Sequence, residues 1–334
     1  MFLSKANFLT SSILFRPSLC GIKVLITKSY SSNKGTTNVF DEKTKVHQKR
    51  IAAKFQDEDV YDYLKNEVAE RVADRLADIL KYFPKALDFG AGKGYLAKYL
   101  NKEEIGKLYQ LESTKEMLDL CKHTDLDVES IVYQDGKFPF EENSLDLILS
   151  SLSLHWINDL PAIFSQLYHC LKEDGVFLAA MFGKDTLFEL RCALQLAEIE
   201  REGGFGPHVS PFTEMRDVSA LLNGAGFNLT TIDQDEIIIS YPSMFELMHD
   251  LKGMGENNAT WTRKNILHRD SMLAAAAIYN ELYGNGDGSI PATFQIIYMI
   301  GWKPSKNQPK PLERGSATAS FKDLEKIASQ VNKK

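Results

Sequence analysis

From residue 86 onward the chain alternates short apolar runs with segments of helical period. The runs lie at 86–89 (Ala-Leu-Asp-Phe), 107–111, 129–133, 145–150 and 175–182. They read as strands covered on both faces, because apolar residues continue through them with little alternation. Helical segments are predicted between most of them, over 94–102, 113–123 and 159–172, while 133–145 is turn-like around Pro139. Regular strand–helix alternation implies a parallel sheet joined by right-handed crossovers. Ahead of it, Val60, Leu64, Val68, Val72, Leu76, Ile79 and Leu80 recur at steps of three and four, which predicts a helix over 59–83 stopped by Pro84.

The second half departs from this rhythm. Helices are predicted over 184–202 and 213–224, the latter closed by Gly224 and Gly226, with a breaker-rich loop at 203–212 between them. Strands follow at 227–232, 235–240 and 293–302. A largely helical insertion, 242–290, separates the last two. From Pro304 the chain is polar, with a short helical signal at 320–331.

The first strand runs into Asp88-Phe89-Gly90-Ala91-Gly92-Lys93-Gly94. This is G-x-G-x-G, not the G-x-G-x-x-G of a dinucleotide fingerprint. Asp88 suits a ligand bearing positive charge and would repel a pyrophosphate. Glu112 ends the second strand, where an acid can accept hydrogen bonds from both hydroxyls of a ribose. Gln134-Asp135-Gly136 follows the third strand, so Asp135 can receive an adenine amino group. The fourth strand leads into Ser151-Leu-Ser-Leu-His155-Trp156 at the same carboxyl edge of the sheet, the edge at which open α/β sheets bind ligands.

Residues 1–40 carry Lys5, Arg16, Lys23, Lys28 and Lys34 and no acid, while the whole chain has a formal net charge of −6. The remainder therefore stands eleven below neutrality. That balance excludes a nucleic-acid-coating surface, which works by neutralising phosphates with cations. Residues 1–32 also hold seven serines and an apolar set, Phe2, Leu3, Phe8, Leu9, Ile13, Leu14 and Phe15. Basic, serine-rich and amphipathic, they read as a mitochondrial transit peptide. Residues 33–58 form a polar N-terminal extension, 59–303 the ligand-binding domain and 304–334 a tail. The four cysteines include no Cys-x-x-Cys pair and suggest neither a disulfide framework nor structural zinc. No apolar run approaches the ~20 residues of a membrane helix.

With these residues in order, the chain resembles the class I S-adenosylmethionine-dependent methyltransferases over about residues 60–302. The family's acid–glycine motif falls on Asp88, Gly90, Gly92 and Gly94, its ribose acid on Glu112 and its adenine-side acid on Asp135. The resemblance implies a Rossmann-like α/β fold of seven strands, the last antiparallel at 293–302, and S-adenosylmethionine as cofactor. Motifs outside that site give a closer match: Ser-Leu-Ser-Leu-His-Trp-Ile-Asn-Asp-Leu-Pro (151–161), Ala-Met-Phe-Gly-Lys-Asp-Thr-Leu-Phe-Glu-Leu-Arg (180–191), Glu-Arg-Glu-Gly-Gly-Phe (200–205), Phe-Glu-Leu-Met-His-Asp-Leu-Lys-Gly-Met-Gly-Glu (245–256), His-Arg-Asp-Ser-Met-Leu-Ala-Ala-Ala-Ala (268–277) and Glu-Arg-Gly-Ser-Ala-Thr (313–318). Together they are similar to the mitochondrial complex I assembly factor five family of arginine hydroxylases. That resemblance implies hydroxylation of an arginine in a complex I core subunit, other assembly factors as partners, and peripheral association with the matrix side of the inner membrane. A more distant similarity is to the malonyl-carrier-protein methyltransferases.

The residues leave the chemistry open among hydroxylation, methyl transfer and a non-catalytic chaperone role. Displacement at a sulfonium needs mainly positioning and no acid or base, whereas oxidising a C–H bond normally calls on a metal or organic cofactor. No metal site is expected. His268-x-Asp270 has the spacing of two ligands of a two-His-one-carboxylate set, with His155, His208 or His249 as a third, but Asp270 reads first as the cap or start of a helix over 271–283. His155 and Trp156 are the catalytic candidates, or else they pack and close the loop. Glu189 and Arg191 read as a pair on a helix surface, or as residues that recognise the substrate. Glu200, Glu202 and Glu256 read as a solvated rim, or as acceptors for a guanidinium. Trp261 and Arg263 read as a cover, a partner contact or core.

Overall fold

The structure, a computed structural model, describes residues 38–55, 58–121, 124–133, 138–264, 266–310, 314–316 and 320. The transit peptide expected at 1–32, Asp135 and nearly all of the 320–331 signal lie outside them. Among the described residues seven strands form one sheet in the order β3-β2-β1-β4-β5-β7-β6. They are β1 (Phe83–Phe89), β2 (Ile105–Glu112), β3 (Asp127–Val132), β4 (Leu145–Ser151), β5 (Leu171–Phe182), β6 (Asn228–Tyr241) and β7 (Ile290–Trp302). The first five run parallel, and β7 lies antiparallel between β5 and β6. Strand order reverses between β1 and β4, which opens a crevice at their carboxyl ends.

The helices are α1 (Glu42–Ala52), α2 (Glu58–Tyr61), α3 (Tyr63–Ala77), α4 (Lys115–Leu118), α5 (Leu160–Cys170), α6 (Phe188–Glu202), α7 (Met215–Ala225), α8 (Met244–Met254) and α9 (Arg269–Tyr283). One face of the sheet packs against α3, α6, α8 and α9, the other against α5 and α7. The stripe Leu64, Val68, Val72 and Leu76 is buried against the first face, where each such side chain contributes roughly 1.5–3 kcal/mol.

Several local expectations change, and the helix expected over 113–123 is the single turn of α4 among the described residues. The helix expected over 59–83 breaks at Asp62 and ends at Ala77, leaving Leu80 99% exposed. Asp62 is buried and accepts from Lys93 Nζ at 2.9 Å and Tyr95 Oη at 2.8 Å, a tertiary claim that overrides helical period. The helix expected over 94–102 is a single tight turn, Leu96–Lys98, because the glycine turn uses the preceding residues. The strands expected at 227–232 and 235–240 are one, since Asp233 and Asp235 stay in the edge strand and pair with Arg75 and Arg71 of α3. Finally, the polar stretch before residue 50 contains α1, whose N-cap Asp41 accepts from the Thr44 amide at 3.2 Å.

Candidate functional site

A cavity of about 720 Å³ opens at the carboxyl ends of β1, β2 and β4, within the usual size of a small-molecule site. Gly90 and Gly92 form part of its wall, followed by Glu112 at the end of β2 and by Ser153 and Trp156 after β4. Gly90 has φ +76°, and a Cβ there would stand 1.9 Å from Ser153 Oγ. Only glycine lets the two segments approach so closely in that backbone conformation.

Glu112 is buried, with 2% of its surface exposed. One carboxylate oxygen accepts from the Gly92 amide at 3.0 Å. The other accepts from Lys49 Nζ at 2.6 Å and from the Ser113 amide and hydroxyl at 2.6 and 2.7 Å. Burial works to raise its pKa, but Lys49 and the Ser113 donors outweigh it and hold the carboxyl below its ordinary value.

Asp88 and Gly94 do not line the cavity and stand buried behind the turn. Neither Asp88 oxygen has a hydrogen-bond partner. Burial, reinforced by the charge of Glu112, pushes its pKa up to about 8. An orphaned buried carboxyl beside a ligand crevice is costly in a free protein and calls for a cation or donor in the complex. S-adenosylmethionine, with its ammonium and sulfonium charges, its ribose diol and its close approach to a glycine turn, fits these residues.

Of the catalytic candidates, Trp156 lines the cavity and His155 does not. The His155 ring is buried between Phe182, with centroids 4.5 Å apart, and Phe212 at 5.5 Å. Burial lowers its pKa despite a contact with Glu256. Its ring thus packs behind Trp156 and does not face the ligand space. Trp156 Nε1 donates to Glu256 Oε2 at 2.7 Å.

Glu256 itself is no rim residue. Its side chain is 6% exposed, with Lys65 Nζ 2.9 Å and Lys45 Nζ 3.7 Å away. Burial opposes ionisation, yet Lys65 and Lys45 together hold Glu256 well below its ordinary pKa. Glu189 is also buried, bonded to Thr293, while Arg191 caps the carbonyls of Lys184 and Thr186, so they are not a surface pair. Glu202 binds Lys264 and Ser271, and Glu200 lies at the surface beside Arg201. Trp261 is 57% exposed, and Arg263 reaches Asp41 at 3.3 Å. His268 is the N-cap of α9 and Asp270 lies in its first turn. Among the described residues no three His, Cys, Asp or Glu side chains group as they would around a metal ion.

Sequence reasoning missed the lysines of the cavity wall. Lys45 and Lys49 come from α1 and Lys65 from α3. The available signal was the i, i+4 spacing of Lys45 and Lys49 behind an Asp cap.

A mixed seven-stranded sheet with a reversed last strand, a glycine turn and a ribose-type carboxylate define the class I S-adenosylmethionine-dependent methyltransferase fold. Residues 87–179 match the family described as Methyltransferase domain. A Bacillus halodurans crystal structure described as a methyltransferase superposes with a TM-score of 0.51 at 17% identity, over 70% of this chain and 99% of that one. The human protein named mitochondrial arginine-hydroxylase NDUFAF5 is 56% identical over 297 residues, 89% of this chain and 86% of the relative. The malonyl-[acyl-carrier protein] O-methyltransferase of Laribacter hongkongensis is 31% identical over 77% of this chain and 89% of its own length. The chain belongs to the mitochondrial NDUFAF5 arginine-hydroxylase family.

Proposed function

We propose that this protein is an S-adenosylmethionine-binding arginine hydroxylase of complex I assembly. In this reading it works on the matrix side of the mitochondrial inner membrane and acts on a core subunit. The observation that carries the reading is the conjunction of a 720 Å³ cavity at the strand-order switch with 56% identity along most of the chain to a named arginine hydroxylase. The glycine turn and Glu112 orient the nucleoside, Asp88 behind the turn favours its positive charge through its field and not by contact, and the aromatic wall at Trp156 excludes water from the substrate side. When bound, the cofactor would supply a sulfonium-activated carbon; oxidation of a C–H bond calls in addition on an oxidant and an oxygen source from outside the residues of this site. No helix among the described residues is long and apolar enough to cross a membrane.

A second reading, methyl transfer to a carboxylate, is favoured by the cations Lys43, Lys45, Lys49, Arg50 and Lys65 of the wall, which outnumber its acids Glu42, Glu112, Asp159 and Glu256 by one. Mass spectrometry of complex I core subunits from cells with and without the protein separates the two. A protein-dependent extra oxygen on an arginine supports hydroxylation, an extra CH2 supports methyl transfer, and an unchanged subunit with failed assembly leaves a chaperone.

A further inference from the structure

Lys45 and Lys49 stand one helical turn apart, so both ammoniums leave the same face of α1. They reach two different buried carboxylates of one cavity, Glu256 and Glu112. The Lys49 contact lies on the expected ribose acid, which explains one of the pair. The surroundings of Lys45 are more specific. Its Nζ rests 3.1 Å from the centre of the Trp156 ring, donates to the Gly255 carbonyl at 2.6 Å and faces Glu256 at 3.7 Å. Glu256 is fixed in turn by Trp156 Nε1 and Lys65.

An aromatic face, a carboxylate and a carbonyl oxygen around one cation are the groups that recognise a guanidinium. Such a group stacks flat on an indole and spreads its five N–H donors over oxygen acceptors. We propose that the face of Trp156, the carboxylate of Glu256 and the carbonyl of Gly255 seat the arginine side chain of the protein substrate. Lys45 of α1 holds that seat in the free protein. The proposal rests on the arginine-hydroxylase reading and supplies its substrate subsite.

Two observations favour exchange of one cation for the other. Burial drives the Lys45 ammonium well below the ordinary lysine pKa, with repulsion from Lys65 and Lys49 added to it and Glu256 pulling against it. A guanidinium is less strongly hydrated than an ammonium and keeps its charge when desolvated, so it suits the same seat better. In addition, α1 buries only Lys45 and Ala52. It is held largely by polar contacts and carries no apolar stripe, so an arriving cation displaces little hydrophobic packing.

The test is calorimetry on the full chain saturated with S-adenosylmethionine, titrated with N-acetyl-arginine amide, its neutral citrulline counterpart and malonate. Arginine should bind and citrulline should not. Lys45→Met should tighten arginine binding about tenfold by removing the competitor, and Glu256→Gln should weaken it at least tenfold while the nucleoside still binds. Should Lys45→Met fail to fold, the arginine–citrulline contrast on the unmodified chain decides alone. Equal binding of both probes, preference for malonate, no arginine binding, or indifference to Glu256→Gln overturns the seat. The fate of the larger reading is separate. Nucleoside binding without arginine binding removes the seat and leaves the cofactor site standing. Arginine binding that depends on Glu256, with no oxygen gained by the partner subunit, keeps the seat and removes hydroxylation.

Discussion

Replacing Asp88 by Asn exchanges a buried carboxyl without partners for a neutral group of the same shape. In the folded chain the carboxyl titrates at about 8, against an ordinary value of 3.8. The native state therefore keeps a proton that the unfolded chain has already released. Stability is full below the ordinary value and falls as pH rises through the folded value. At about 1.36 kcal/mol per pH unit, the loss has reached about 4 kcal/mol by neutrality. Asp88→Asn should be spared it, so urea unfolding at pH 7 should show the variant more stable by several kcal/mol. The difference should shrink toward pH 5 and vanish near pH 4. Ligand binding should move the opposite way. A cationic nucleoside favours ionised Asp88, so binding to the unmodified protein at pH 7 should release close to one proton, read by calorimetry in buffers of different ionisation enthalpy. The variant should release none and bind at least tenfold more weakly. Parallel pH–stability curves for the two proteins, or a proton release unchanged by the substitution, would refute the placement of Asp88.

Other outcomes follow from the same contacts. Gly90→Ala meets Ser153 Oγ in a left-handed backbone; it should lower the melting temperature and abolish nucleoside binding, and adding Ser153→Gly should restore part of the stability, measured by differential scanning fluorimetry. Glu112→Gln removes a carboxylate whose pKa is depressed by Lys49. The stability that Glu112 contributes is present above its ordinary value near 4.5 and disappears as pH falls through the folded value, so the unfolding curves of variant and parent should converge in acid. Asp62→Ala strands the buried Lys93 ammonium and should cost about 3–5 kcal/mol in chemical denaturation.

The centre of the sheet was legible because β4, β5 and β7, buried on both faces, are written as nearly continuous apolar runs, whereas the edge strands β3 and β6 are largely exposed; three glycines in five residues also leave few structures open to a strand end. Glu112 was legible for the same reason, since its place follows from strand count. What escaped was polar. The α1 sequence, Glu-Lys-Thr-Lys-Val-His-Gln-Lys-Arg-Ile-Ala, has almost no apolar period, because it lies over a cavity and meets it through charge. Glu256 looked like a surface acid since its burial depends on lysines 191 and 211 positions away in the chain. His155 and Trp156 both follow the fourth strand at the ligand edge and both reach Glu256, yet only Trp156 lines the cavity, because the His155 ring is turned in against Phe182. Asp62 shows the converse case, in which a helical pattern yields to one buried acid needed elsewhere.

Residues 39–41 carry a consequence for the order in which the molecule is built. Phe40 bridges Thr260, the Asp41 amide donates to Ala259, the Trp261 amide donates to Val39, and Asn158 grips the amides of Val39 and Phe40. These contacts join points more than a hundred residues apart, and such long loops close late in folding. During synthesis the segment that emerges early must wait for residue 260 to leave the ribosome before the roof over the crevice can set. A nascent chain stopped short of that point should carry the glycine turn and Glu112 without a closed chamber around them.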